Sequence, residues 1–240
     1  MNLSNIVTRI KLKLGLMNIA TPFDNLDDTI VKILTDITLP IFSVYHPFKQ
    51  TITLHTNEME VLERGGTFTW YLLPDFKARE LLYVFDVKYD ETSLSGLGYY
   101  GGGYPLSSGS TIHQGLLANS AASVSSMMIP KLTFKYEHPR RLCIYHAYTS
   151  SRLSIDLGFQ HDRSLASIEE TARESFIDLA LLDVKENLYP TLKHYSEINS
   201  AYGNINLKLD DWANAESDRK ELINRWDDTY HLDFQPMYYA

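Results

Sequence analysis

Eight histidines, a single cysteine and a few closely spaced carboxylates are the residues of this 240-residue chain with the chemistry to catalyse a reaction or hold a metal. Their spacing does not assemble a site. His138 and His146 are eight apart, but Pro139 and Arg140 mark a turn between them. His161 and Asp162 follow the end of an alternating run. There is no H-E-x-x-H, no H-x-H and no two-histidine-one-carboxylate spacing, the patterns that place ligands on one face of a helix or strand. His46, His55, His113, His194 and His231 stand alone in the sequence. Cys143, between Leu142 and Ile144, is expected to be a small buried core residue with an inert thiol. One cysteine excludes an intrachain disulfide framework and a multi-cysteine zinc site. No G-x-S-x-G elbow is present. Asp86 with Asp90, and Asp210 with Asp211, are neighbours in sequence without being an acid–base dyad. Gly101–Gly103 lacks the Lys-Ser/Thr that completes a phosphate-binding loop. The expectation is a protein that is not an enzyme, with no catalytic residue, no metal and no cofactor. The competing enzyme reading is a hydrolase with a site in loop 99–113, resting only on that loop and His113.

A different set of residues is suited to contact another chain. Residues 93–126 are rich in Gly, Ser and Tyr, and LSGLGYYGGGYPLSSGS carries no charge. So long a loop is uncommon in a compact domain. Tyr99, Tyr100 and Tyr104 are its candidate anchors on another chain, set against the alternative of a plain mobile loop. The segment 229–240, TYHLDFQPMYYA, carries Tyr230, Phe234, Met237, Tyr238 and Tyr239. Pro236 opposes helix there, and the expectation is an extended aromatic tail that docks on a partner chain or folds back on its own core.

The elements that must position these segments follow from hydrophobic period. In residues 2–14, Ile6, Ile10 and Leu14 form one stripe, with Gly15 suited to end a helix. Asn25 or Asp27 is expected to cap a second helix over 28–37, apolar around much of its circumference and therefore buried in its own domain or against another subunit. Pro40 should end it. From Ile41 to Phe159 the period falls toward two. Phe42, Val44, Ile52, Leu54, Phe68, Trp70 and Leu72 alternate with polar residues, and 82–89, 132–136, 142–148 and 153–159 do likewise. Ser167 and Glu170 form an S-x-x-E capping box ahead of Ile168, Ala172, Phe176, Leu179 and Ala180 at helical spacing. Pro190 should kink or end that helix, Thr191–Ile198 resume it, and 204–209 form a short strand. Asp210 or Asp211 should cap a last helix with Trp212, Ala215, Leu222, Ile223 and Trp226 inward.

The expected fold class is α+β: N- and C-terminal helices forming one helical core, with an inserted antiparallel β-rich lobe, a sheet or small barrel. The expected boundaries are 1–40 for the N-terminal helices, 41–163 for the β-rich domain, 164–228 for the C-terminal helices and 229–240 for the tail. A 44% apolar and 12% aromatic composition supplies a core of this size. A formal charge of −8 argues against a binder held by phosphate contacts. Charge is also polarised. Residues 1–20 hold Arg9, Lys11 and Lys13 with no acid, and residues 210–240 hold eight acids against three bases. Such a head and tail could pair between neighbouring copies, or each could be a solvated helix face. No signal peptide and no membrane-length apolar run is visible, so a soluble protein of a reducing compartment is expected.

The C-terminal stretch carries a resemblance. A long helix, then Leu188 and Tyr189, then YGNINLKLDDWANAESDRKELINRW, resembles the C-terminal part of neck proteins of long-tailed bacteriophages. The resemblance covers the last third of the chain and extends more loosely to the N-terminal helices. It implies a structural virion protein, a ring that connects the portal to the tail and lines the DNA channel. It further implies a homo-oligomer, a dodecamer in the family, assembled in the host cytoplasm and residing in the virion neck. Its partners would be the portal protein, other neck or tail-terminator proteins, and genomic DNA passing without sequence-specific binding. No membrane is involved. A second position in the same assembly is an outer neck ring that contacts the tail terminator. A sugar- or receptor-binding β-module is a third class, opposed by helices at both chain ends that share a core.

Overall fold

The computed structural model describes residues 3–17, 22–77, 79–90, 132–146, 151–195, 197–200, 203–206 and 209–234. The chain divides into two compact units, one made of residues 1–48 with 159–240, the other of residues 49–158.

The first unit is helical. Helix α1 spans Leu3–Lys13 and buries Ile6, Val7 and Ile10. It stops as its sequence predicts. Gly15 adopts φ +69°, a left-handed conformation that a Cβ would strain. The Leu16 N–H reaches the Lys11 carbonyl at 2.8 Å and the Gly15 N–H reaches Leu12 at 3.1 Å, the paired bonds of a Schellman stop. Helix α2 (Leu26–Ile33) is capped by Asn25, whose side chain accepts the Asp28 N–H. The expected break at Pro40 does not occur. A π-helical turn (Leu34–Thr38) leads directly into α3 (Leu39–Tyr45). In that wider turn the Leu39 N–H bonds the Leu34 carbonyl, five residues back. Pro40 then falls at the second residue of α3, where a first-turn N–H needs no partner. Phe42 and Val44, expected to alternate in a strand, are therefore helical.

Helix α4 (Arg173–Leu192) tolerates Pro190 in its last turn and gives way to a 3-10 turn, Lys193–Tyr195. The helix does not resume after it. Strands β8 (Glu197–Ser200) and β9 (Gly203–Asn206) pair as a hairpin. Asp210 and Asp211 are not a side-chain cap. They lie in a 3-10 turn, Asp210–Trp212, ahead of α5 (Ala215–Phe234). Helix α5 takes in residues 229–234, the first half of the segment expected to be extended. Once a helix is nucleated, each further residue fixed gains one backbone bond, and this favours carrying α5 through residues 229–234.

One core joins these helices. Ile10, Leu16, Ile30, Leu34, Leu39, Phe42, Phe176, Leu179, Ala180, Val184, Leu188 and Leu192 are fully buried or nearly so, together with Trp212 and Trp226. The strongly apolar helix of residues 28–37 thus finds its partner inside its own unit. Phe42 sits at the centre, edge-on to Phe176 at 5.1 Å and to Trp226 at 6.2 Å.

The second unit is built of β1 (Phe48–His55), β2 (Glu60–Arg64), β3 (Phe68–Leu72), β4 (Leu81–Tyr89), β5 (Phe134–Glu137), β6 (Arg141–Tyr145) and β7 (Arg152–Phe159). They form a three-stranded sheet of order β1-β7-β4 and a four-stranded antiparallel sheet of order β2-β3-β6-β5. The α+β class expected from the sequence is the class observed. In the larger sheet Tyr71, Leu142 and Ile144 are buried. Trp70 carries two cations, with the Arg141 guanidinium 5.2 Å and the Lys135 ammonium 6.0 Å from its ring.

Candidate functional site

The groups that sequence alone marks for chemistry are dispersed or internally satisfied. Among the described residues, no three His, Cys, Asp or Glu side chains come together as a metal site. Cys143 is buried, and burial pushes its thiol above the ordinary value, which leaves it protonated and unreactive. His138 lies in the β5–β6 turn and His146 at the far end of β6, so the two do not converge. Asp86 accepts the neighbouring Val87 N–H, and Asp90 pairs with Arg152 at 3.4 Å. His113 and the whole of loop 99–113, with Tyr99, Tyr100 and Tyr104, lie outside the described residues. So do Met237, Tyr238 and Tyr239. Tyr230 and Phe234 lie on the last turns of α5.

Two polar clusters in the helical unit escaped sequence reading. The first joins three elements. Asp183 of α4 is completely buried. It accepts the Thr38 hydroxyl at 2.7 Å and the Arg219 Nε–H at 2.5 Å, and Arg219 also lies 3.5 Å from Glu186. A buried carboxylate is costly unless paired and hydrogen-bonded, and both conditions are met here.

The second cluster surrounds His161, which is buried. Its Nε2–H donates to the His46 carbonyl at 2.7 Å, so Nδ1, 2.9 Å from the Ser167 hydroxyl, is the acceptor in the neutral ring. Its backbone N–H donates to the Ser43 hydroxyl at 3.1 Å. Ser167 is therefore engaged with His161 and does not cap α4, which begins six residues later at Arg173. The His46 ring stacks on Phe42 at 4.8 Å and meets Trp226 edge-on at 5.4 Å. Burial, then the nearby His161, holds the His46 imidazole below its ordinary range. This arrangement fastens α3 to the chain entering α4 and offers no exposed nucleophile or base.

Charge is likewise spent inside the unit. The basic head, which could pair with a neighbouring copy or stand as a solvated helix face, has partners within the unit. Arg9 makes a two-pronged contact with Glu174 at 2.7 and 3.0 Å, Lys11 pairs with Asp27 at 2.7 Å, and Lys13 lies 3.9 Å from Asp178.

The β unit presents two surface features. Strand β2 is exposed at all five residues, with Val61 43% and Leu62 41% exposed. Where β3 leaves the sheet and β5 turns into β6, a cavity of about 190 Å³ is lined by Asp75, Phe76, Arg79, Glu80, His138 and Arg140, with Leu81 and Pro139. The Tyr136 hydroxyl donates to the Pro139 carbonyl at 2.8 Å beside it, and burial followed by the Glu80 charge pushes its pKa up to about 12. Among the described residues its walls hold no serine, threonine or cysteine.

Residues 1–233 match the family described as bacteriophage ring protein, so the chain belongs to that family over nearly its whole length. No curated protein matches it. Membership makes the chain a structural phage protein of ring assemblies, and no described helix is long and apolar enough to cross a membrane.

Proposed function

We propose that this bacteriophage ring protein is a subunit of the virion neck, in a homo-oligomeric ring that connects the portal to the tail and lines the DNA channel. The observation that carries this reading is the ring-family match over residues 1–233, which spans both helical chain ends and the C-terminal stretch that resembles neck proteins. The fold supports a mechanical role. The buried Asp183–Arg219 pair and the His161 cluster hold the elements of the helical unit together, which suits a holding role. Twelve copies, the number the resemblance implies, would surround the channel. The net charge of −8 per copy would repel the DNA backbone and let it pass.

In this reading Tyr230, Phe234, Met237, Tyr238 and Tyr239 contact the portal or the neighbouring subunit. Tyr99, Tyr100 and Tyr104 contact the next ring. Both sets are aromatic or apolar and uncharged, the composition of residues that anchor protein interfaces.

The test is the native mass of the purified protein, alone and with the portal protein of the same phage, by native mass spectrometry and light scattering. A closed ring, or a monomer that joins the portal in fixed stoichiometry, is the expected result. A protein that forms a ring but ignores the portal, and that immunogold labelling of virions places elsewhere than the neck, overturns the neck assignment. Labelling at the junction with the tail, without portal binding, would favour an outer neck ring.

A further inference from the structure

A ring of identical copies is closed by contacts that run head to tail, so each copy needs two complementary patches that face different ways. The paired helices α4 and α5 carry such patches on their outer flanks. We propose that the cationic flank of α4 in one copy packs against the acidic flank of α5 in the next copy; the inference rests on the ring reading above and names the surface that closes the ring.

One buried contact fixes the direction of both flanks. Asp183 bonds Arg219, so these two positions mark where α4 and α5 meet. Lys185 lies about 200° around α4 from Asp183, at 3.6 residues per turn. Glu221 and Asp228 lie about 200° and about 180° around α5 from Arg219. Each flank therefore points away from the other helix of its own copy. A neighbour on one side of the pair meets α4, and a neighbour on the other side meets α5.

The flanks are opposite in charge. Leu182, Lys185 and Tyr189 follow one another along α4 at helical spacing and are half-buried, and Lys193, in the 3-10 turn that follows, is exposed. The acids in this half of α4, Asp183 and Glu186, are turned to Arg219. Among the described residues neither Lys185 nor Lys193 makes an ion pair. On α5, Ser217, Glu221, Asn224 and Asp228 form a row exposed along its length. Asp228 has no ion pair among the described residues. Glu221 is held by Arg225 at 3.1 Å, an exposed pair that exchanges partners easily. Glu221 and Asp228 are separated along the axis by about 10 Å and Lys185 and Lys193 by about 12 Å, at 1.5 Å per residue. The long lysine stems take up the difference, and Leu182 and Tyr189 supply apolar area between the charges. Helix α1 offers less, because Arg9, Lys11 and Lys13 already face Glu174, Asp27 and Asp178. The two flanks complement each other, so the partner is a second copy of this chain.

The full-length protein tests this with K185E/K193E, with E221K/D228K and with the chain that carries all four changes. Each is checked for an unchanged thermal melt, and K193E or D228K alone replaces a pair that fails the check. Each two-residue variant should raise the protein concentration needed for ring formation by about tenfold or more, the scale set by like charges brought face to face. The four-residue swap should close rings again near the wild-type concentration, as read by native mass spectrometry and light scattering. Damage to the fold would accumulate in that chain, whereas a contact with both charges reversed is restored. A folded two-residue variant that closes rings at the wild-type concentration, or a folded four-residue chain that closes no better than its parents, overturns the docking assignment alone. Rings that close normally but no longer attach to the portal protein would give these flanks to the portal and overturn it too. A wild-type chain that forms no ring, alone or on the portal, overturns the ring reading first and this inference with it.

Discussion

Asp183 Oδ1 and Arg219 Nε meet at 2.5 Å, thirty-six residues apart along the chain, with the carboxylate wholly out of water. The pair ties α4 to α5, and the Thr38 hydroxyl brings in the π-helical turn as a third party. Arg219→Ala leaves an uncompensated buried carboxylate and should cost about 3–5 kcal/mol. Replacing both partners by apolar residues of similar size, D183L/R219M, should cost much less. Urea unfolding of the three proteins measures both. Equal losses for the single and double variants would show that the pair is not a coupled unit.

Trp212 and Trp226 are 6% and 7% exposed. Trp226 is packed edge-on against Phe42 and His46, and its neighbour Asp227 accepts the Tyr45 hydroxyl at 2.9 Å. Truncation of either ring to alanine should destabilise the protein by about 3–5 kcal/mol. A loss of a few tenths in chemical denaturation would remove that ring from the core.

Gly15 has open space where a side-chain methyl would stand, yet its φ of +69° is unfavourable to any residue with a Cβ. Gly15→Ala should therefore cost about 1 kcal/mol through backbone strain alone, with no steric clash to relieve. The thermal melt decides it, and Gly66→Ala, where φ carries no such demand and the space is also open, is the matched control.

His46 sets a pH dependence. Its folded pKa is lowered from 6.5, first by burial and then by His161. As pH falls through about 6.5 the unfolded chain takes up the proton before the folded chain does. Stability therefore drops below that pH, and the contribution is absent above it. His46→Phe keeps the backbone carbonyl that His161 uses and keeps the stack on Phe42. Melting curves at pH 7.5 and pH 5.5 should show a smaller fall for His46→Phe than for the parent protein. Equal falls would place the acid sensitivity elsewhere.

If the tail docks on a partner chain rather than on its own core, deletion of residues 235–240 should leave the melting temperature nearly unchanged. If Met237, Tyr238 and Tyr239 anchor a neighbour, the same deletion should abolish assembly in native mass spectrometry. Intact assembly would return the interface to other surfaces.

Much of this was visible in residue types and periods. The stripe of Ile6 and Ile10, the stop at Gly15, the cap at Asn25 and the inward tryptophans are local signals, each decided within a few residues. The misreadings share a cause. Pro40 breaks an ordinary helix, but a preceding π turn changes which N–H groups need partners. Ser167 fits a capping box locally, but His161, brought beside it by the fold, takes its hydroxyl. Asp183 falls on the apolar stripe of α4, seven residues after Phe176, and nothing near it in sequence announces Thr38 or Arg219. Long-range partners decide such positions, and a one-dimensional pattern does not contain them. The cavity at Arg79 and Arg140 was invisible for the same reason, because its walls come from two connections about sixty residues apart along the chain.

The bidentate contact between Arg9 and Glu174 spans 165 residues. A ribosome moving at about 10 residues per second needs roughly 16 s to make that distance. For that interval α1 exists without the helix it packs on, and Ile6, Val7 and Ile10 have no finished core to enter. The β unit between them is synthesised meanwhile and can fold first. The order of birth is thus inverted relative to the order of completion: the middle of the chain matures before its beginning. The helical unit closes only when the C-terminal third emerges, so a truncated product cannot build a finished subunit.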